Sequence, residues 1–552
     1  MRNMLKKYIL KPWVLLIVGL SCISATVYTN DRLFEIAKNL ELFANVFREV
    51  NTNYVDEVDP GTLMKIGIDA MLNSLDPYTN YISESQVQSY RISDDDRFQG
   101  IGTSFMPIDG KIFIAAPLSG GPAHEAGLRA GDELLNVNGV AVKGKTVEEI
   151  NAIVRGAPGT EVNVTVQKHT TDAKIEELRI KRDEVNISNV PYSGFVDNGY
   201  GYINLTTFTE NSSANIAKAL RKLKDEDEQM KGLVIDLRHN GGGLLREAIA
   251  ICSLFLPKGE EIVNTKGKQK EKDYAYKTMG TPEDLDMPIV VLVDDRSASA
   301  SEIVAGVLQD MDRAVIMGQR SYGKGLVQNF YEVGYNSRVK VTISKYYIPS
   351  GRCIQGVEYA NGEPMNIPDS KRSKFKTRNG RIVLDGGGIT PDVKLPKATL
   401  SPVTLALLQK GLIFEYCNNF IKKQKDSLDL DKFTFTEFDD FINFVKKNNF
   451  KYTIDGEAQL DSLMSVTASN DALAGNIKSE MNNIKNKIES YKQQEMLSHK
   501  QEIIHELEKE IASRYGFQQG RTKMNLKRDE EVVSAINLLK NNSEYKSLLK
   551  QK

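Results

Sequence analysis

Cysteine and histidine are scarce in this sequence, and its charges nearly cancel. The 552 residues include 4 Cys and 5 His, and the formal net charge is −1. The scattered Cys252, Cys353 and Cys417 give neither a disulfide framework nor a metal site. The balanced charge gives no argument for nucleic acid or an anionic membrane surface as a partner. Because the histidines form no evident Ser-His-Asp arrangement, a catalytic serine would need a different base.

The N-terminus carries a pattern typical of export signals. An apolar stretch over residues 12–28 follows four cationic residues, Arg2, Lys6, Lys7 and Lys11. This order predicts export, with the bulk of the chain on the periplasmic side. The stretch is long for a cleaved signal and short for a comfortable membrane span. A cleaved signal, a membrane anchor over residues 8–28 and a lipid attached to Cys22 therefore all remain open.

Changes in hydrophobic periodicity predict five segments. A signal or anchor is followed by a helical segment, a strand-rich domain with two short helices, a mixed α/β domain and a charged helical extension. Apolar runs such as Leu233–Ile235 and Ile289–Val293, which suit a buried sheet, indicate the mixed α/β domain. The extension shows no recognisable chemistry, and a strict coiled coil is not supported. The predicted segments are 1–30, 31–90, 91–185, 186–398 and 399–552.

Three serines alternate in the stretch RSASASEIVAG, Arg296 to Gly306. Ser299 and Glu302 fit the capping box S-x-x-E, so one interpretation is that Ser299 only caps a helix. A helix N-terminus also presents backbone amides that can stabilise an oxyanion. A sharp strand-to-helix turn is in addition a common way to present a nucleophilic serine. The stretch alone leaves both interpretations open.

The stretch GQRSYGKGLVQNF, Gly318 to Phe330, approaches a phosphate-binding P-loop but departs from it twice. Gly325 stands where the P-loop has Ser or Thr, and the following segment is strand-like rather than helical. Lys324 in a glycine-flanked turn can instead be partly desolvated, which lowers the pKa of a lysine. A neutral amine beside a serine hydroxyl is a general base. Gln328, on the following strand, is the natural partner to hold that amine.

A third stretch, VIDLRHNGGGLLREA over residues 234–248, joins a strand to a helix through three glycines. Glycines at such a turn let backbone amides approach a ligand closely, which suits an oxyanion hole. His239 lies in this loop and would allow a Ser-His pair. The sequence shows no acid partner for His239, so Lys324 is the preferred base.

Together, DLRHNGGG, SASASE and SYGKGLVQ, in this order, resemble the carboxyl-terminal processing peptidases, or tail-specific proteases, which are Ser-Lys endopeptidases. GPAHEAGLRAGDELLNVNG resembles part of a PDZ domain, and LNSLDPYTNYIS precedes it as in that family. The resemblance covers roughly residues 35–395. It implies a multidomain α/β fold with an N-terminal helical segment, a β-sandwich-like PDZ domain, a crotonase/Clp-like mixed α/β catalytic core and a C-terminal helical extension.

The resemblance also implies roles for individual residues. Its catalytic motifs are present here without departure, whereas His239 occupies a variable position. The implied residues are Ser299 as nucleophile, Lys324 as general base, Gln328 as the residue that orients Lys324, the amides of Ala300 and of Gly242 or Gly243 as the oxyanion hole, and Glu302, Asp236 and Arg238 as supporting residues.

The PDZ-like segment predicts peptide binding. Such domains add a peptide as an extra strand and hold its terminal carboxylate with loop amides. In FQGIGTSF the matching amides are those of Gly100, Ile101 and Gly102, and a β-bulge without a ligand is the alternative. Arg155, at the end of the second helix, is either a sensor that contacts the catalytic core or a solvated cation at a helix end.

The sequence therefore predicts an exported serine endopeptidase that recognises the free C-terminus of a protein and processes or degrades exported proteins. No metal or nucleotide cofactor is expected, and the membrane is contacted only through the N-terminal segment. The partners are substrate tails, with a homo-oligomer or an activating adaptor compatible with the sequence. Two alternatives are a PDZ scaffold with a latent or partner-activated peptidase core and a hydrolase of non-peptide acyl substrates.

Overall fold

The structure is a computed structural model, and it forms two compact units, residues 1–81 and 82–552. The cationic residues predicted to begin the export signal, Arg2, Lys6, Lys7 and Lys11, lie outside the described residues. The described residues are 12–86, 97–170, 172–356, 359–360, 363–365, 368–423, 428–454, 456–468 and 471–550.

Two helices dominate the first unit: α1 spans Pro12–Asn53 and α2 spans Pro60–Asn73, and a short strand, β1, follows at Asn80–Ile82. Helix α2 begins where the sequence supplies its start signals. The Asp59 side chain accepts the Thr62 amide at 2.8 Å, and proline occupies the first helical position. In the described part of the chain, no helix contains a stretch long and apolar enough to cross a membrane.

Residues 97–186 form a small β domain whose strands follow the predicted alternation. Its elements are β2 (Arg97–Gly100), β3 (Thr103–Ile108), β4 (Lys111–Pro117), α3 (Pro122–Glu125), β5 (Glu133–Val137), β6 (Val140–Ala141), α4 (Val147–Val154), β7 (Glu161–Gln167), β8 (Ile175–Lys181) and β9 (Asp183–Asn186). The sheet order is β3-β4-β5-β7-β8, with β6 on β5, and β2 pairs separately with β9. In β7, Val162, Val164 and Val166 are buried and their neighbours are not, as a half-covered strand requires.

Residues 192–394 form an α/β domain around a six-stranded sheet. Its elements are β10 (Tyr192–Asp197), β11 (Tyr200–Asn204), α5 (Ser212–Glu226), β12 (Gly232–Asp236), α6 (Leu245–Phe255), β13 (Glu261–Gly267), β14 (Tyr274–Lys277), β15 (Ile289–Val293), α7 (Ala300–Asp310), β16 (Val315–Gly318), β17 (Leu326–Gly334), β18 (Ser337–Tyr347), β19 (Tyr359–Ala360), β20 (Glu363–Pro364), β21 (Lys374–Lys376), β22 (Ile382–Leu384) and β23 (Val393–Lys394). The sheet order is β10-β11-β12-β15-β16-β23, and its pairs are parallel except β10 with β11.

The central strands β12 and β15 are buried along their whole length, as expected for parallel strands covered on both faces. Helices α5, α6 and α7 pack their apolar sides against one face of this sheet. A second, antiparallel sheet contains β14, β13, β18 and β17 in that order. The turn between β16 and β17 and the loops after β12 and β15 all lie at the carboxyl end of the six-stranded sheet, where ligands of such sheets bind.

A helical domain follows the α/β domain, and its last two helices pack back onto the sheet. The helices are α8 (Pro402–Gln409), α9 (Leu412–Lys423), α10 (Phe438–Lys447), α11 (Glu457–Ala468), α12 (Asp471–Ser498), α13 (Lys500–Leu526), α14 (Glu530–Lys540) and α15 (Asn542–Leu548). Helices α8, α9, α10 and α13 share a core of their own. Val532, Ile536 and Tyr545 instead bury against Val290 and Leu292 on the second face of the six-stranded sheet. The end of the chain therefore completes the core of the α/β domain, which the sequence did not indicate.

The β domain also packs against the helical domain. The rings of Phe113 and Phe414 lie 6.3 Å apart, centre to centre. Gly131 has a φ of 95°, and a Cβ added there would lie 2.8 Å from the Asn418 side chain. Glycine at position 131 is therefore required both by the backbone conformation and by the contact with α9.

Candidate active site

The structure distinguishes the three alternating serines. Ser297 and Ser301 are fully buried, and their hydroxyls donate to the backbone carbonyls of Leu237 and Asn240, each at 2.8 Å. Ser299 lies between them at the end of the turn from β15 to α7, and it is only partly buried. Of the three, Ser299 is the serine placed to meet a substrate.

The backbone of Ser299 is strained. Its φ of 55° and ψ of −113° lie in a region that L-residues rarely adopt. Such strain persists only where the surroundings impose it, and it concentrates at functional sites. The glycine loop after β12 helps to hold this conformation, because its Asn240 carbonyl accepts the amide of Ala298, the residue before Ser299, at 3.0 Å. Ala300, the first residue of α7, has an amide with no acceptor inside the helix.

Glu302 joins the serine segment to the lysine segment. Its Oε2 accepts the amides of Ser299 at 2.9 Å and Lys324 at 2.8 Å. Its Oε1 accepts the Ser321 hydroxyl and the Gly323 amide, each at 2.6 Å. The carboxyl is fully buried, and this burial raises its pKa to about 7 although the four hydrogen bonds lower it. The half of the capping box in which the Glu302 carboxylate accepts the Ser299 amide is thus formed. The same carboxylate also fixes the turn that carries Lys324.

Lys324 lies in a turn that needs glycine on both sides. Gly323 has a φ of 96°, and a Cβ there would lie 2.9 Å from the Gly388 amide nitrogen. A Cβ on Gly325 would lie 2.6 Å from the Gln355 amide nitrogen. The turn is therefore packed against backbone, and Lys324 is partly buried. Strand β17 follows directly, which excludes the helix that a P-loop requires.

Tyr346, on β18, was not predicted and contacts both the Ser299 and the Lys324 segments. Its hydroxyl lies 3.2 Å from Ser299 O and in closer contact with Lys324 O. The residue is buried, and its amide donates to Gly325 O at 3.0 Å. The sequence contained no signal for this role, because Tyr346 reads as one more aromatic residue of a strand.

Gln328 lies on β17, as predicted. Its Nε2 donates to Thr342 Oγ1 of the paired strand β18 at 3.3 Å. The sequence had pointed to Lys324 as its partner, and the partner identified here is Thr342.

The glycine loop passes directly beside Ser299. Gly242 has a φ of 96°, and a Cβ there would lie 2.8 Å from both Ser299 Cβ and the Ala300 nitrogen. The Gly242 amide donates to Asn240 Oδ1 at 2.9 Å, so this conformation does not offer it to a ligand. Among the described residues, none accepts a hydrogen bond from the Gly243 amide. Of the two glycines considered, the geometry therefore favours Gly243 as the oxyanion donor.

His239 does have an acid partner, contrary to the expectation from the sequence. Its Nδ1 lies 2.6 Å from Asp294 Oδ2. The pair was not visible in the sequence because 55 residues separate its members. His239 has a φ of 60°, and its side chain is 70% exposed.

Asp236 and Arg238 lie at the end of β12. The Arg238 guanidinium donates to both carboxylate oxygens of Asp236, at 3.0 and 3.1 Å from Nε and 2.6 Å from Nη2. The same guanidinium reaches Asp529 and Glu531 at the start of α14. Burial alone would raise the pKa of Asp236. The Arg238 charge and the hydrogen bonds from Arg238 and Tyr202 together outweigh burial and hold that pKa below its usual value.

The predicted carboxylate nest lies in the loop between β2 and β3. Gly100, Ile101 and Gly102 are buried, and Gly102 has a φ of 72°. The carbonyl of Ile101 accepts the Ala123 amide at 2.8 Å, which ties the loop to α3. Arg155 is exposed, and no ion pair joins its guanidinium to any other described residue.

Three protein families match successive parts of this chain. Residues 199–360 match peptidase family S41, residues 113–168 match a PDZ domain, and residues 403–539 match a family described as "Probable PDZ-protease, C-terminal helical domain". A carboxy-terminal-processing protease of Bartonella bacilliformis is 35% identical over 347 residues, covering 62% of this chain and 79% of that protein. This chain belongs to the carboxy-terminal-processing protease family.

Two further proteins are similar to this chain. A probable CtpA-like serine protease of Staphylococcus aureus is 33% identical over 370 residues, covering 64% of this chain and 73% of that protein. The photosystem II D1 C-terminal processing protease is 27% identical, covers 63% of this chain and 85% of its own, and superposes with a TM-score of 0.35. The predicted fold class is confirmed: a PDZ domain (the β domain), an S41 catalytic domain (the α/β domain) and a C-terminal helical domain. The chain is a serine-type peptidase.

Proposed function

We propose that this serine peptidase uses Ser299 as its nucleophile and Lys324 as its general base. The observation that carries the proposal is the shared anchor: the amides of both residues donate to Glu302 Oε2, at 2.9 and 2.8 Å. Two segments 25 positions apart in sequence are thereby fixed to one atom. Tyr346, which contacts the carbonyls of both residues, supports the same pairing.

Each chemical step follows from this pair. Neutral Lys324 takes the proton of the Ser299 hydroxyl while Oγ attacks the peptide carbonyl carbon. The ammonium then gives that proton to the leaving amine as the C–N bond breaks, which leaves an acyl-enzyme. Neutral again, Lys324 takes a proton from water, and the hydroxide attacks the ester. The collapse of the second tetrahedral intermediate returns the proton to Ser299 Oγ and releases the acid.

The negative oxygen of both intermediates needs donors fixed in advance. We assign the amides of Ala300 and Gly243 to this role. Ala300 begins α7, where the helix dipole also favours negative charge. Gly242 lies against Ser299 and Ala300, where a Cβ would overlap both residues, so glycine at this position allows the loop to approach Ser299 closely. Gln328 is proposed to orient Lys324 from its place on β17, in a conformation other than the one in which its Nε2 donates to Thr342 Oγ1.

The PDZ domain is proposed to supply the specificity for protein C-termini. A substrate tail would add to the edge strand β3, and its carboxylate would bind the amides of Gly100, Ile101 and Gly102. Gly100 and the positive φ of Gly102 shape that loop. The substrates are proposed to be exported proteins, since the N-terminal pattern predicts export by a cleaved signal, a lipid on Cys22 or a retained anchor over residues 8–28.

Cleavage of an unfolded protein with a free apolar C-terminus, compared with the same protein amidated at that terminus, tests the proposed function. Wild-type enzyme lacking residues 1–30 and the Ser299→Ala variant are compared by mass spectrometry of the products. We expect cleavage of the free-tailed substrate by the wild type alone. Equal cleavage of both substrates would contradict C-terminal recognition. Binding without cleavage by the wild type would favour the scaffold alternative.

A further inference from the structure

The C-terminal segment, α14 and α15 with the preceding Asp529, contributes two carboxylates to a cluster around Arg238. They are those of Asp529 and Glu531. Arg238 Nη1 donates to Asp529 Oδ1 at 3.1 Å and to Glu531 Oε2 at 2.5 Å. Its Nη2 donates to Asp529 Oδ2 at 2.9 Å as well as to Asp236. The Tyr202 hydroxyl completes the cluster by donating to Asp236 Oδ2 at 2.7 Å.

Asp529 and Glu531 are placed by the start of α14. The Asp529 side chain caps that helix by accepting the amides of Glu531 at 3.2 Å and Val532 at 3.1 Å. The apolar side of α14 is fixed against the six-stranded sheet. The two carboxylates are therefore presented by a rigid element, almost 300 residues away in sequence from the arginine that they hold.

The cluster contacts both segments of the proposed catalytic site, the glycine loop after β12 and the turn that carries Lys324. Arg238 leads directly into the glycine loop, in which Asn240 O accepts the Ala298 amide beside Ser299. Glu531 Oε1 accepts Gln319 Nε2 at 2.6 Å, and Gln319 follows β16 and leads into the turn of Lys324. One side chain of the C-terminal segment thus bridges the oxyanion loop and the segment of the base.

We infer that Asp529 and Glu531 are positioning residues of the catalytic site, acting through Arg238 and Gln319 to set the glycine loop and the lysine turn. This inference rests on the proposed function, because it assumes that those two segments carry the oxyanion donors and the base. The C-terminal segment then does more than cover the second face of the six-stranded sheet: it also positions the catalytic residues. A small displacement of positioned groups lowers the rate of an enzyme strongly without changing its substrate contacts.

The electrostatics of the cluster favour a positioning role over a purely stabilising one. Three carboxylates surround one guanidinium, and all four side chains are at most 14% exposed. Surplus buried negative charge is a weak source of stability, because its desolvation is costly. Bidentate contacts to a planar guanidinium are, in contrast, a strong way to fix orientation.

Two isosteric variants test the inference, Asp529→Asn and Glu531→Gln, with Glu530→Gln as the matched control. Glu530 is exposed and lies between them on the same helix turn. The kcat and KM for a free-tailed peptide are measured together with Tm, and rates are expressed per active site titrated with a serine-directed phosphonate. Wild type and Ser299→Ala run in the same assay.

We expect kcat to fall about tenfold in each test variant with KM unchanged, because tail binding belongs to the PDZ domain. Glu530→Gln is expected to match the wild type in both constants. Unchanged kcat in both test variants would overturn the inference while leaving the proposed function intact. A loss that disappears when rates are expressed per titrated site would overturn it as well, because it would reflect unfolding alone. An inactive wild type would overturn the proposed function and the inference together.

Discussion

The amides of Ser299 and Lys324 donate to the same oxygen atom, Glu302 Oε2. Four donors point at the Glu302 carboxylate. Glutamine would offer them one acceptor oxygen, and its NH2 group would place a donor opposite other donors. We therefore expect kcat to fall about 100-fold in Glu302→Gln, since both segments lose their common anchor. Steady-state kinetics on a peptide substrate measures the effect.

The matched control is Glu508→Gln. Glu508 is also buried and accepts the Phe435 amide at 3.0 Å, but it lies in the helical domain. This variant should lose stability and keep its kcat per folded molecule. Equal kcat losses in the two variants would contradict the anchoring role of Glu302.

The second prediction concerns pH and the stability of the fold. Burial raises the pKa of Glu302 to about 7 from the usual 4.5. Between these values the folded protein binds a proton that the unfolded chain has lost, so the contribution of this group to stability falls as pH rises through the window. The decrease is at most about 3 kcal/mol. The Tm of the wild type should therefore exceed that of Glu302→Gln by more at pH 5 than at pH 8. A difference independent of pH would contradict the raised pKa.

The third prediction uses two adjacent glycines. In Gly242→Ala the new methyl group would lie 2.6 Å from Ala298 O and 2.8 Å from Ser299 Cβ. This overlap should displace the nucleophile and lower kcat about 100-fold. Gly241→Ala is the control, because a Cβ there meets nothing within 4 Å. Similar kcat values for the two variants would mean that the close approach of this loop to Ser299 has no catalytic role.

The fourth prediction tests the packing of the PDZ domain on the helical domain. Gly131 and Gly127 have similar positive φ values, 95° and 90°, so alanine strains the backbone comparably at both. At Gly131 the Cβ also meets the Asn418 side chain at 2.8 Å, whereas at Gly127 it meets nothing within 4 Å. Gly131→Ala should therefore cost about 1–3 kcal/mol more. Hydrogen exchange in α9, which carries Asn418, should increase in Gly131→Ala alone if the two domains are docked as described.

Local patterns were sufficient for much of the fold. Alternation placed strands such as β7, where Val162, Val164 and Val166 are buried. Helix α4 is one of the two short helices predicted for this domain, and it begins with the side chains of Thr146 and Glu149 in a complete capping box. The apolar runs of β12 and β15 indicated a buried sheet, and the three motifs of the site fall at its carboxyl end.

Contacts between residues far apart in sequence could not be predicted, because hydrophobic periodicity carries information only about neighbouring residues. Tyr346 reads as an ordinary strand residue, and Asp294 gives no sign of its approach to His239. The sequence predicted a charged helical extension but not which of its charges are buried. Glu510 is buried there with Arg514 and Arg521 as ion-pair partners, so charge alone does not report exposure.

The assignment of Lys324 rather than His239 as the base is the central claim, and the rate at which a phosphonate modifies Ser299 tests it most directly. Wild type, Lys324→Ala and His239→Ala are reacted with a peptidyl phosphonate, and the labelled residue and its rate are determined by peptide mass spectrometry. The account predicts labelling of Ser299 at comparable rates in wild type and His239→Ala, and loss of labelling in Lys324→Ala. Undiminished labelling in Lys324→Ala, with labelling lost in His239→Ala, would contradict it and identify the His239–Asp294 pair as the base.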